Sequence, residues 1–255
     1  MRPFARNLLG WLLGRPKTTV LVQNLDDYAV VAALGLRKEA IALIPGSGID
    51  TDQFIAMPEP TGPFTIAFVG RLLDDKGVRT LVRAHELLNA RGLAVQTLLA
   101  GEPDSFNPAS IPEPVLDAWR QTANFKLLGH VDDIRTVWAR AHVAVLPSRR
   151  EGLPKSLLEA AACGRPLIAT DVPGCREVAR EAVNALLVPP DDPEALAKAV
   201  ETLMNDRDLR VRFGSASRQI VVNDYSSTRI GNEITALYSR LLGGTLSSKL
   251  SGRRT

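Results

Sequence analysis

Short runs of β-branched and aliphatic residues alternate with stretches of helical periodicity along most of the chain, and that alternation limits the possible folds more than any other feature of the sequence. The runs are Thr19–Val22, Ile41–Ile44, Phe64–Val69, Val95–Ala100, Phe125–Leu128, Val143–Leu146, Pro166–Ala169 and Ala185–Val188. Several contain no polar residue, as a strand requires when helices cover both faces of its sheet. Between them, Lys76–Ala90 places Val78, Leu81, Val82 and Leu88 on one helical face. Pro193–Asn205 does the same with Leu196, Val200 and Leu203, opened by Asp192 as N-cap and Pro193 as first helical residue. Two further helices are expected at Leu209–Asn223 and Thr228–Leu242. The predicted class is α/β, a Rossmann-like parallel sheet flanked by helices, with a continuous βα pattern from Phe64 to about Asn205.

Composition narrows the partners. At 255 residues, 45% hydrophobic and 23% charged, the chain has an ordinary globular composition and the length of one large domain or of one domain with a partial second. Its net charge of +3 is scattered, which gives no case for nucleic acid. Cys163 and Cys175 lack the spacing of a zinc or redox pair and are read as free thiols in a reducing compartment. No apolar run reaches the length of about 18 residues needed to span a bilayer. The opening MRPFARNLLGWLLGRPK is not read as a signal peptide, because Gly10 interrupts its apolar run and Arg15-Pro16-Lys17 stands where small residues should precede cleavage. It is expected to be a helix packed on its own protein. The alternative is a basic amphipathic helix at a membrane surface, with Arg2, Arg6, Arg15 and Lys17 flanking Phe4, Leu8, Leu9, Trp11 and Leu12. Met57–Pro63 reads as a linker, since three prolines within six positions cannot lie inside an element. The tail 243–255 reads as disordered.

Ligands of an open parallel sheet sit beyond the carboxyl ends of its strands, so the loops there carry the functional candidates. After Phe64–Val69 comes Gly70-Arg71-Leu72-Leu73-Asp74-Asp75-Lys76-Gly77, where Arg71 offers a fork of donors and Lys76 a point charge near a helix start. Two cations at that spacing suit a diphosphate; local ion pairs with Asp74 or Asp75 are the plainer alternative. After Val143–Leu146 comes the segment Ser148–Pro166, in which Glu151 and Glu159 stand eight residues apart around a helix opening near Pro154. Carboxylates there can accept pairs of sugar hydroxyls; a cap at Glu151 and a solvated face at Glu159 are the alternative. After Phe125–Leu128 comes Gly129-His130-Val131-Asp132-Asp133, which could turn backbone groups toward a flat base while Asp132 or Asp133 caps the next helix. His130 could act as a base or simply be exposed.

Taken in order, G-R-L-x-x-x-K-G, G-H-V-x-D and S-x-x-E-G-L-P-x-x-L-L-E-A-x-A-C-G-x-P resemble the nucleotide-sugar-binding half of the retaining glycosyltransferases of GT-B fold, family four. Ile44–Asp50 and Asn184–Pro190 extend the resemblance, which covers roughly Val20 to Leu242. It implies that Arg71 and Lys76, beside Gly70, hold the diphosphate of a UDP-sugar and serve catalysis with Glu151, which contacts the transferred sugar. Glu159 would bind the ribose hydroxyls, the backbone of His130 and Val131 would face the base, and Gly152, Leu153, Pro154 and Leu157 would shape the pocket. Neither a metal nor another cofactor is implied, and the pairs Asp74-Asp75, Asp132-Asp133 and Asp191-Asp192 read as caps and solvated charges. Gly101–Asp104, Asn107-Pro108, Ser110–Pro112 and Thr170–Glu177 resemble bacterial members that extend lipid-linked oligosaccharides, often from UDP-N-acetylhexosamines. Cys175 in that stretch reads as a packed small residue.

The resemblance also implies an organisation. Residues 1–57 would be a remnant of an N-terminal acceptor domain with the interdomain segment, 58–225 the donor-binding domain, and 226–242 a helix crossing back to the first domain. A complete member adds a whole Rossmann domain, with a histidine near the reacting sugar that neither His85 nor His142 is placed to replace. The expected partners are therefore a nucleotide-sugar donor, a lipid-linked or glycan acceptor, and a missing domain or partner chain. The expected location is the cytoplasm, with peripheral contact at the inner membrane face as a variant. A nucleotide-sugar-binding module or half of a split enzyme is the main alternative. A GT-B-type epimerase is weaker. A nicotinamide dehydrogenase is weaker still, because Gly46-Ser47-Gly48 is only a fragment of G-x-G-x-x-G and follows Pro45.

Overall fold

The computed structural model describes residues 3–243, with side chains from Arg6 onward; residues 244–255 of the expected tail lie outside the described residues. In chain order the elements are α1 (Pro3–Leu13), β1 (Val20–Val22), α2 (Leu25–Ala32), β2 (Ile41–Leu43), β3 (Thr65–Val69), α3 (Val78–Ala90), β4 (Gln96–Ala100), α4 (Glu113–Arg120) and β5 (Phe125–Gly129). There follow α5 (Arg135–Trp138), β6 (Val143–Leu146), α6 (Lys155–Ala162), β7 (Leu167–Thr170), α7 (Cys175–Val178), β8 (Ala185–Val188), α8 (Pro193–Asn205), α9 (Arg207–Asp224) and α10 (Ser227–Leu241). They divide into two compact units, one made of the residues up to Asp50 with those from Tyr225 onward, the other of Thr51–Asp224.

The larger unit is built on six parallel strands in the order β5-β4-β3-β6-β7-β8. This is the α/β parallel sheet predicted from the alternation. β6, β7 and most of β3 are buried along their length because helices cover both faces, which is why they could be so uniformly apolar. The chain builds outward from β3 to β5, then returns to lay β6 beside β3 with Ile66 opposite Val143. Strand order reverses there, and the crevice beyond the carboxyl ends of β3 and β6 is where this architecture receives ligands.

Boundaries follow local chemistry. Asp192 accepts a bond from the Ala195 N–H and caps α8, with Pro193 in the first turn, as read from the sequence. The helix expected from Lys76 starts two residues later. Asp74–Lys76 form a 3-10 turn and Gly77 follows at φ +70°, a left-handed conformation that ends the turn before α3 begins. Two short helices, α4 and α7, were not anticipated: in α4 only Leu116 and Trp119 are buried apolar positions, too few to register as a period.

In the smaller unit β1 and β2 pair in parallel, and Val22, Leu36 and Ile41 form a small core with Leu13, Val20 and Tyr28 packed on it. α1 keeps Leu8, Leu9, Trp11 and Leu12 exposed, with the Arg15 guanidinium 4.4 Å above the Trp11 ring. Arg6 donates to the Ala33 carbonyl at 2.8 Å. The Ile49 N–H donates to the Tyr225 carbonyl and the Ser227 N–H to that of Ile49, which anchors the start of α10. Among the described residues no helix is long and apolar enough to cross a membrane.

Candidate functional site

The loops after β3 and β6 meet at the point of strand reversal. The Arg149 N–H and the Ser148 hydroxyl both donate to the Asp75 carbonyl, at 2.9 and 3.1 Å. Thr170 at the end of β7 donates to the carbonyl of Ser148. This lacing places Lys76 Nζ 2.6 Å from Glu151 Oε1, with the carboxylate side chain almost wholly buried and the ammonium partly so. Glu151 is therefore the partner of Lys76 rather than a helix cap. Behind it, Gly174 at φ +76° presses on the Glu151 and Gly152 carbonyls so closely that a Cβ would lie 2.6 and 2.4 Å from them, and this fixes the loop.

α6 starts at Lys155 with Pro154 as N-cap residue and no side-chain cap. It carries Glu159 inward, 8% exposed, instead of onto a solvated face. Burial raises the Glu159 pKa above the ordinary value near 4.5, and Lys155, 3.6 Å away, only partly opposes this. The folded state thus holds this proton more tightly than the unfolded chain. The stabilising contribution is complete below about pH 4.5 and is lost as pH rises through the folded-state value. Glu159→Gln is accordingly expected to match the parent in acid and to become the more stable protein as pH rises, read from urea midpoints across pH 4–8. A gap that opens toward acid would contradict this reading of the site.

The other candidates divide between the crevice and solvent. Arg71 pairs with Asp104 at 2.9 Å and remains largely exposed. The loop that carries Asp104 is tied to the Arg71 loop by bonds from the Leu72 N–H to the Glu102 carbonyl and from the Asp74 N–H to that of Ala109. At the level of sequence Asp104 enters only within the segment Gly101–Asp104 and is not placed beside Arg71; the available signal was an acid in the loop after the strand neighbouring the one that leads to Arg71. Gly70 donates to Ala100 and Gly101 to Gly129, aligning three successive strand ends. A cleft of about 510 Å³ opens there between Leu72, Glu102, Pro103, Leu116 and Gly129. Gly129 lines it, whereas the His130 side chain stands in solvent 3.2 Å from Asp132 and Val131 is partly buried. Gly152 is exposed, Leu153 partly so, and Pro154 and Leu157 are buried.

Three of the loop aspartates have arginine partners. Asp74 pairs with Arg79, Asp133 with Arg135 and Asp191 with Arg149. Asp133, not Asp132, takes the Arg135 N–H at the start of α5. Among the described residues no three of His, Cys, Asp or Glu gather in a metal-ligand cluster. His85 is fully buried between Thr97 and the Ala123 carbonyl. His142 accepts the Thr65 N–H and stacks near Phe64. Cys163 and Cys175 are buried free thiols, pushed up to about 11 and about 12 by burial, which removes them as nucleophiles.

The family profile described as "Glycosyl transferases group 1" matches residues 63–206, more than half of the chain and the whole of this crevice. The chain belongs to the group 1 glycosyltransferases. Within that family, the capsular polysaccharide biosynthesis glycosyltransferase CapM of Staphylococcus aureus is 32% identical over 179 residues, which is 70% of this chain and 47% of CapM. The N,N'-diacetylbacillosaminyl-diphospho-undecaprenol alpha-1,3-N-acetylgalactosaminyltransferase of Campylobacter jejuni is 25% identical over 232 residues, 86% of this chain and 59% of that enzyme. Anabaena HepE, solved in complex with UDP, superposes with a TM-score of 0.82 at 20% identity, covering 94% of this chain and 68% of HepE; at that identity the likeness speaks for the fold. This group 1 chain spans about half the length of the curated relatives it matches.

Proposed function

We propose that this chain supplies the donor-binding half of a retaining glycosyltransferase that moves a hexose or N-acetylhexosamine from a UDP-sugar to a lipid-linked or polysaccharide acceptor. The observation that carries the reading is the Lys76–Glu151 contact at the strand reversal, which unites a cation loop and a carboxylate loop 75 residues apart in the chain. In this reading Lys76 and Arg71 neutralise the charge that grows on the departing diphosphate, an electrostatic role needing no proton transfer. Glu151 orients Lys76 and contacts the sugar, Glu159 accepts the ribose hydroxyls, and the cleft beside Gly129 takes the base. No metal is assigned a part. The choice of UDP and of an N-acetylated or simple hexose is supported by structurally similar proteins, HepE in complex with UDP-glucose and a pneumococcal O-GlcNAc transferase in complex with UDP and GlcNAc. The acceptor class is supported by the names of CapM and the Campylobacter enzyme.

A second reading, a nucleotide-sugar-binding module completed by another polypeptide, is favoured by β1 and β2. They form a parallel pair of only two strands with Leu21 and Leu43 exposed, whereas parallel sheets are ordinarily covered on both faces. Both readings require donor binding, and the second lacks turnover by the chain alone. Calorimetric titration with UDP, GDP, ADP and then UDP-N-acetylhexosamines is expected to show selective binding of the uridine compounds. Glu159→Ala should weaken them by about 1–3 kcal/mol, on the order of tenfold to a hundredfold. Arg71→Ala should weaken UDP and UDP-sugar alike and by less, because Arg71 is exposed and shared with Asp104. A folded chain indifferent to every nucleotide would end the proposal.

A further inference from the structure

At the opposite end of the sheet from the proposed donor crevice, beside the amino ends of β6 and β7, lies a separate cavity of about 460 Å³. It opens between α9 and the segment around Met57, and Val211, Ser215 and Gln219, four residues apart on α9, form its exposed mouth. Its wall holds three arginines. Arg218 is engaged by the carbonyls of Thr51, Phe54 and Ala162. Arg210 donates to Glu59 and to the carbonyls of Leu203 and Met204 at the end of α8. Arg165 differs. It is 2% exposed, and among the described residues its side chain donates once, from Nη2 to the Pro58 carbonyl at 2.9 Å, and leaves its Nε without a partner.

Among the described residues Arg165 makes no ion pair. The one carboxylate lining the cavity, Glu59, is already shared by Arg207 at 3.1 Å and Arg210 at 2.5 Å. His142, the other titratable group there, accepts the Thr65 N–H through Nδ1 and supplies no negative charge. Glu59 acts on Arg165 only from beyond ion-pair distance, so the buried guanidinium is poorly compensated, a costly arrangement in a protein interior, and its fork is shaped for a planar or tetrahedral oxyanion. The space beside it exceeds a lone inorganic ion, and Met57, Pro166 and Val211 give it an apolar side.

We propose that this cavity binds a small organic oxyanion, its phosphate or carboxylate against Arg165 and its body against Met57, Pro166 and Val211. Through Arg218 the wall is joined to the Ala162 carbonyl at the end of α6, so an occupant sits at the far end of the helix that carries Glu159. The proposal does not depend on the donor reading.

Thermal unfolding of the whole chain in inorganic phosphate or acetate, against chloride at matched ionic strength, tests it. The expected result is a saturable rise of about 3 °C at ten times the dissociation constant. The rise should vanish in Arg165→Met and persist in Lys76→Met, which separates this cavity from any phosphate held in the donor crevice. Phosphate also stabilises proteins by exclusion from their surface, but that effect climbs without saturating and ignores the variant. Should Arg165→Met fail to fold, Gln219→Trp closes the mouth from an exposed position and should abolish the saturable rise. An unsaturating rise, or one retained by either cavity variant, would mean that water alone solvates Arg165 and would overturn the proposal.

Discussion

Replacing Gly77 with alanine is expected to lower the melting temperature by about 6–12 °C, equivalent to about 3 kcal/mol or more. Two penalties combine there. Gly77 sits at φ +70°, where a side chain is strained, and an added Cβ would lie 1.9 Å from the Pro147 carbonyl oxygen. That oxygen belongs to the backbone leaving β6 and cannot swing aside as a flexible side chain would. Gly92→Ala is the natural control: its φ is +74° but nothing lies within 4 Å of the added carbon. It should cost about 1 kcal/mol, so the difference between the two variants isolates the collision between the β3 and β6 loops. Equal losses would show that the loops are less closely apposed than described.

Lys76→Met should destabilise the protein by about 2 kcal/mol and abolish donor binding, because the Glu151 carboxylate would be left buried without its cation. Adding Glu151→Gln removes the stranded charge. The double variant is therefore expected to recover most of the lost stability while binding UDP no better than Lys76→Met, since the positive charge is still missing. Denaturant unfolding and calorimetry on the four members of the cycle separate the effects. If the double variant regained nucleotide affinity, Lys76 would have only a structural part in the loop.

Much of this arrangement was legible in the chain. Ile66 to Phe68 and Val143 to Leu146 announced central strands because burial on both faces leaves no place for a polar side chain. Asp192-Pro193 announced the start of α8 because a cap acts on its own next turn. The α4 segment was silent, having two buried apolar side chains in eight residues. At the site, spacing alone could not decide whether Glu159 faced water, since that depends on how α6 rolls against the sheet. Nor could it pair Arg71 with Asp104, which lie 33 residues apart and meet only because β3 and β4 are neighbours. Nothing in the sequence singled out Arg165. Its burial comes from the passage of residues 56–59 over it, a long-range event with no local signature.

The placement of β6 beside β3 has a consequence for how the protein acquires function. The β4 and β5 segments lie in the chain between the two central strands, so Lys76 and Glu151 are joined by closing a long loop. Contacts of such separation carry an entropic cost that local ones do not, and they set the pace of folding. A chain that has formed only its β3-α3-β4 portion would have the basic loop without the acidic one. On the proposed function, nucleotide affinity would be a property of the finished sheet, and the appearance of UDP binding during refolding would time the docking of the two halves of the sheet.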